Sequence, residues 1–177
     1  SVFLVQSWVP NSEFALAFNG VAWYLSTSLF LYFAFPFVLR FIKKAERSSS
    51  LLTAAALLFL VQFAAGFLVE PLESVLLRYE LIPADGKFAY WFTYIFPVFR
   101  LPDFMIGCCI GAVFLRDKNK ASYKKSLCME LISILLLVLS SLMYRTSHSF
   151  LTSDAFVYTQ LFVPLAAAAV YTFALGQ

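Results

Sequence analysis

Residues 51–69 read LLTAAALLFLVQFAAGFLV, nineteen positions without a charge. A helix needs about 20 apolar residues to cross the hydrocarbon core of a bilayer. This stretch is that long and nothing in it opposes burial in lipid. Three more stretches behave alike. Residues 14–39 and 155–177 carry no charge, and residues 127–144 carry only Glu130. A fifth, residues 88–115, is long enough but is interrupted by Arg100, Pro102 and Asp103. The expected fold class is therefore an all-α polytopic membrane protein. It has about five transmembrane helices, one of them broken near Arg100–Pro102.

Composition supports the same reading. Of 177 residues, 62% are hydrophobic and 13% are charged, and the mean hydropathy is +0.82. A soluble domain of this size has too little polar surface to cover so apolar a chain. The loops are short and polar, and no repeat or linker divides the sequence, so residues 1–177 read as a single transmembrane domain. Both ends read as cut: the first residues lack the basic start of a signal peptide, and the last lie on an apolar run.

Charge placement orients the chain. Arg40, Lys43, Lys44, Arg47, Arg116, Lys118, Lys120, Lys124 and Lys125 gather in two loops, against Arg78, Lys87 and Arg145 in the others. The positive-inside rule makes loops 40–50 and 116–126 cytoplasmic. The expected location is the cytoplasmic (plasma) membrane.

Polar groups at membrane depth are costly and tend to mark sites. Asn19, Trp23 and Ser26 recur at helical spacing and share one face. Ser28 and Tyr32 form a second polar pair. They suit either an interfacial aromatic belt with back-bonded hydroxyls or a binding surface. Arg100 and Asp103 suit either a local ion pair or the positive end of a broken helix that receives an anionic or carbonyl group. Trp23 lies seventeen residues before Arg40, or about 26 Å along a helix, and Arg100 lies sixteen before Arg116, or about 24 Å. If their helices are neighbours, Asn19, Trp23, Ser26, Arg100 and Asp103 line one outward-facing pocket.

Other features read as structural. Gly107 and Gly111 form Gly-x-x-x-Gly, a pattern for close helix packing. Cys108, Cys109 and Cys128 read as small buried hydrophobes. His148, the only histidine, falls in a short loop. No metal-ligand spacing or Ser-His-Asp set is present.

The polar motifs taken together resemble the acyltransferase-3 family, polytopic enzymes of the O-antigen acetylase type. Gln6-x-Trp8-x-Pro10 comes first in that resemblance, and Asn19-x-x-x-Trp23-Tyr24-Leu25-Ser26 with Tyr32-x-x-x-Pro36 is similar to the family's N-x-x-x-W-S-L-S-x-E-x-x-x-Y-x-x-x-P stretch. Arg100-Leu101-Pro102-Asp103-Phe104-x-x-Gly107 resembles its R-L-P-E-F-x-x-G turn. The resemblance implies transfer of an acyl group, often acetyl, from cytoplasmic acyl-CoA to a carbohydrate hydroxyl. It implies substrate-binding roles for Asn19, Trp23, Ser26, Tyr32, Arg100 and Asp103. Acyl-CoA would be a donor co-substrate, with no bound cofactor or metal. The partners would be the lipid bilayer, acyl-CoA and a carbohydrate acceptor, and not nucleic acid.

Two departures stand out. The family's glutamate falls at Ser28, and its first-helix histidine and Arg-x-x-Arg loop have no match here. The expectation is a middle-to-late portion of such an enzyme, inactive alone and with no catalytic residue assigned. A transporter or flippase-like protein with an outward-facing polar pocket is the alternative.

Overall fold

Long unbranched and small side chains favour helix in the apolar stretches, and a backbone in lipid must satisfy its own polar groups. The computed structural model describes residues 5–10, 22–83, 87–117, 123–147 and 162–175. These residues hold helices and turns and no strand. A 3-10 turn (Gln6–Trp8) precedes α1 (Ala22–Lys44) and α2 (Ser48–Arg78). One short turn, α3 (Phe88–Tyr90), passes into a π-helical turn (Trp91–Ile95) and then into α4 (Pro97–Asp117). α5 (Tyr123–Ser147) and α6 (Phe162–Leu175) complete the order.

Among the described residues, three segments are long and apolar enough to cross a membrane: Ala22–Lys44, Ser48–Arg78 and Phe88–Asp117. In the last two expected spans the described residues hold shorter apolar helices, Leu127–Leu139 and Val163–Ala174. Large apolar side chains cover the outer faces. Leu29, Phe33 and Phe37 of α1, Val61, Phe67 and Leu68 of α2, and Leu131 and Leu135 of α5 are all exposed. Such faces are poorly tolerated in water and suit contact with lipid.

α4 is the hub. α1, α2 and α6 pack against it, and α5 packs on α6. One core cluster joins Val38 and Ile42 of α1, Leu51 and Ala55 of α2, and Ile106, Cys109 and Val113 of α4. At this end, an Arg116 Nη2 hydrogen bond to the Ala45 carbonyl, 2.8 Å long, ties α4 to the α1–α2 loop. A second cluster joins Val69, Phe88, Trp91 and Ile95, with Trp23 against it. α5 meets α6 through a buried Ser133–Thr172 hydroxyl pair at 3.2 Å. Hydrogen bonds of this kind hold helices together where lipid offers no hydrophobic gain.

The helix break lies earlier than the sequence predicts. Phe96 is extended (φ −64°, ψ 122°), and Pro97 opens α4, while Arg100–Pro102 lies inside it. A residue before proline is driven to extended backbone, and proline suits a first helical position. Pro102 withdraws an N–H only from the carbonyl of Val98, on an exposed side of α4.

Two other expectations are corrected. A Cβ added at Gly107 or Gly111 meets nothing within 4 Å, so the Gly-x-x-x-Gly face is open instead of packed. Cys128 is exposed, unlike Cys109, which is fully buried.

Candidate functional site

The broken helix frees backbone carbonyls inside the bundle, and side chains of α1 and α4 satisfy them. Phe96 N–H closes the π turn on the Trp91 carbonyl at 2.9 Å. The Thr27 hydroxyl of α1 donates to the Ile95 carbonyl at 3.1 Å. Arg100 Nε donates to the Tyr94 carbonyl at 3.0 Å. One turn on, inside α4, Gln62 Nε2 of α2 donates to the Phe99 carbonyl at 2.9 Å. An unpaired carbonyl in an apolar interior costs several kcal/mol on the order of a lost hydrogen bond, so these bonds fix where the break can sit.

The N-terminal turn closes one side. Gln6 Nε2 donates to the Ala22 carbonyl at 2.7 Å, and Trp91 Nε1 donates to the Ser7 carbonyl at 3.2 Å. The Ser7 and Ser26 hydroxyls are hydrogen-bonded to each other and fully buried. Trp8 meets Phe30 and Phe96 edge-on, at 5.2 and 5.7 Å between ring centroids.

Arg100 is the centre of what remains. Its guanidinium lies 5.0 Å from the centre of the Tyr94 ring. Its Nη1 pairs with Asp103 Oδ2 at 3.0 Å. Tyr94 in turn contacts Trp23 at 5.1 Å and stacks on Tyr90 at 5.3 Å. The result is a ladder of rings, Trp23–Tyr94–Tyr90, with a cation on one rung. Aromatic faces attract a guanidinium and also suit the apolar faces of sugar rings.

The predicted residues fall in different places. Trp23, Arg100 and Asp103 come together through Tyr94, and α1 and α4 are neighbours as the depth argument requires. Ser26 uses its hydroxyl on Ser7. Tyr32 is 74% exposed on the outer surface of α1. It follows Trp23 by nine residues, about two and a half helical turns, which puts it on the opposite face. Asn19 and His148 lie outside the described residues. Sequence reading passed over Tyr94, Thr27 and Gln62. Gln62 had a signal, as the lone amide in residues 51–69; Tyr94 is hidden among other aromatics.

Two apolar grooves flank α6. One, of about 450 Å³, runs between Phe59, Ile110, Val163 and Tyr171. The other, of about 350 Å³, is lined by Asp103, Gly107, Gly111, Phe114 and Ala166. The larger groove is apart from Arg100; the smaller touches the site through Asp103. Among the described residues no cluster of three His, Cys, Asp or Glu could hold a metal ion.

No protein-family model, curated protein or solved structure matches the chain.

Proposed function

We propose that this chain is part of an integral membrane O-acyltransferase. It moves an acyl group, acetyl by preference, from cytoplasmic acyl-CoA to a hydroxyl of a surface carbohydrate. In this reading the chain crosses the plasma membrane five times, and loops 40–50 and 116–126 face the cytoplasm. The observation that carries the proposal is the setting of Arg100, held by the Tyr94 carbonyl and ring beside Trp23. A cation fixed in an apolar bundle is suited to stabilise negative charge developing on an acyl carbonyl. The Trp23–Tyr94–Tyr90 ladder offers a face for a sugar ring. General-base work would fall to the family's first-helix histidine, which has no match among these 177 residues.

The test is Arg100→Ala in the complete protein. Acyl transfer should fall by about a hundredfold or more, the usual size for losing one oxyanion donor. Membrane insertion should persist. Wild-type acylation in that variant removes Arg100 from the site.

The helix break at Phe96, after the π-helical turn, favours a second reading, a transporter, because such folds build their sites at broken helices. Solute flux across vesicles without any acyl incorporation into glycan would select it.

A further inference from the structure

The larger groove, of about 450 Å³, has walls from α2, α4 and α6. Along α4 its lining residues run from Ile106 to Asp117, a rise of about 16 Å. Along α2 they run from Leu52 to Phe59. These two helices are antiparallel, because Arg116 bonds the Ala45 carbonyl just ahead of α2, and Val113 shares a core cluster with Leu51. Leu52 and Asp117 therefore stand at one mouth of the groove, and Phe59 and Ile106 at the far end. Apart from Asp117 and the Tyr171 hydroxyl, the lining side chains are apolar.

Length bears on what fits. A hydrocarbon core of about 30 Å gives each leaflet about 15 Å. Asp117 ends the apolar segment Phe88–Asp117, which places it at the boundary with water. The groove then reaches from that boundary to the bilayer midplane. A trough one leaflet long and walled by aliphatic side chains suits one extended acyl chain, lying in the direction lipids already take.

Charge bears on the headgroup. Arg116 precedes Asp117 and is exposed, and Arg47, also exposed, stands just ahead of α2. Lys43 and Lys44 end α1 beside Ala45, and Glu46 follows in the loop. The cations suit a phosphate; Arg116 spends one N–H on Ala45, and its guanidinium carries others. Asp117, the ionisable carboxyl in the lining, suits an ammonium. A wholly anionic headgroup is repelled there, and a choline brings no N–H to it. A primary ammonium next to a phosphate complements both signs.

We propose that this groove binds a single phospholipid with a primary-amine headgroup, phosphatidylethanolamine, its acyl chain between α2, α4 and α6, its ammonium on Asp117 and its phosphate on Arg116 and Arg47. The proposal rests on the chain lying in a membrane and is independent of acyl transfer.

The experiment is native mass spectrometry of the intact protein, released from nanodiscs that hold equal amounts of phosphatidylethanolamine, phosphatidylcholine and phosphatidylglycerol with identical acyl chains. The wild type should retain one lipid, with phosphatidylethanolamine enriched by about threefold, as one partly exposed ion pair allows. Asp117→Asn should still retain a lipid but lose that preference, and Asp117→Glu should keep it. Ala56 lines the groove and is exposed, so Ala56→Phe fills the space without disturbing the core and should abolish retention. Three results overturn the proposal: no lipid retained by the wild type beyond that of Ala56→Phe, phosphatidylcholine or phosphatidylglycerol retained as well as phosphatidylethanolamine, or an unchanged preference in Asp117→Asn. Acyl transfer enters none of these readouts, so this proposal and the proposed function fail separately.

Discussion

The Thr27 hydroxyl donates to the carbonyl of Ile95 across 3.1 Å, joining α1 to the last residue before the helix break. Thr27 is 4% exposed, so no water can replace it. Thr27→Val keeps the shape and removes the donor. It should lower unfolding stability by about 1–3 kcal/mol, the cost of an unsatisfied buried acceptor. Thr27→Ser should stay near wild type. Equal stability of Thr27→Val and wild type would mean that the Ile95 carbonyl finds another partner.

The order and approximate extent of the helices were legible because apolar runs and charged loops record the need to bury or expose a backbone in lipid. The break was not. Pro97 and Pro102 are equivalent as sequence signals, and the choice between them rests on donors from Thr27 and Arg100 that only the packed bundle supplies. Arg100 and Asp103 were legible as a pair from their spacing. Gln62 stood out as a lone amide, but its partner was not legible, because which carbonyl it reaches depends on how α2 lies on α4.

Gly107 and Gly111 give a prediction opposite to the usual one for their motif. Each has open space where a Cβ would stand. Replacing either with alanine should cost no stability and could add up to about 1 kcal/mol, because glycine is a poor helix former. Thermal unfolding in detergent checks this. A marked loss would show that a further helix docks on that face.

The cysteines should separate by reactivity. Cys128 is exposed and Cys109 is fully enclosed by the α1–α2–α4 core. Thiol alkylation of the detergent-solubilised protein, followed by mass spectrometry, should modify Cys128 first. Cys109 should react only after denaturation. Equal rates at both positions would contradict the packing of α4.

The Arg116–Ala45 hydrogen bond sets the C-terminal end of α4 beside the α1–α2 loop. α2 has 31 residues and is about 46 Å long, more than the roughly 30 Å hydrocarbon core. Tyr79, just past its end, must then lie on the opposite side from Glu46. In a cysteine-free background, Glu46→Cys and Asp117→Cys should both react with an impermeant thiol reagent from the cytoplasmic side. Tyr79→Cys should react only from the other side. Labelling of positions 46 and 117 from opposite sides would break the shared face. Labelling of both from outside would keep the packing and reverse the orientation that nine basic residues predict.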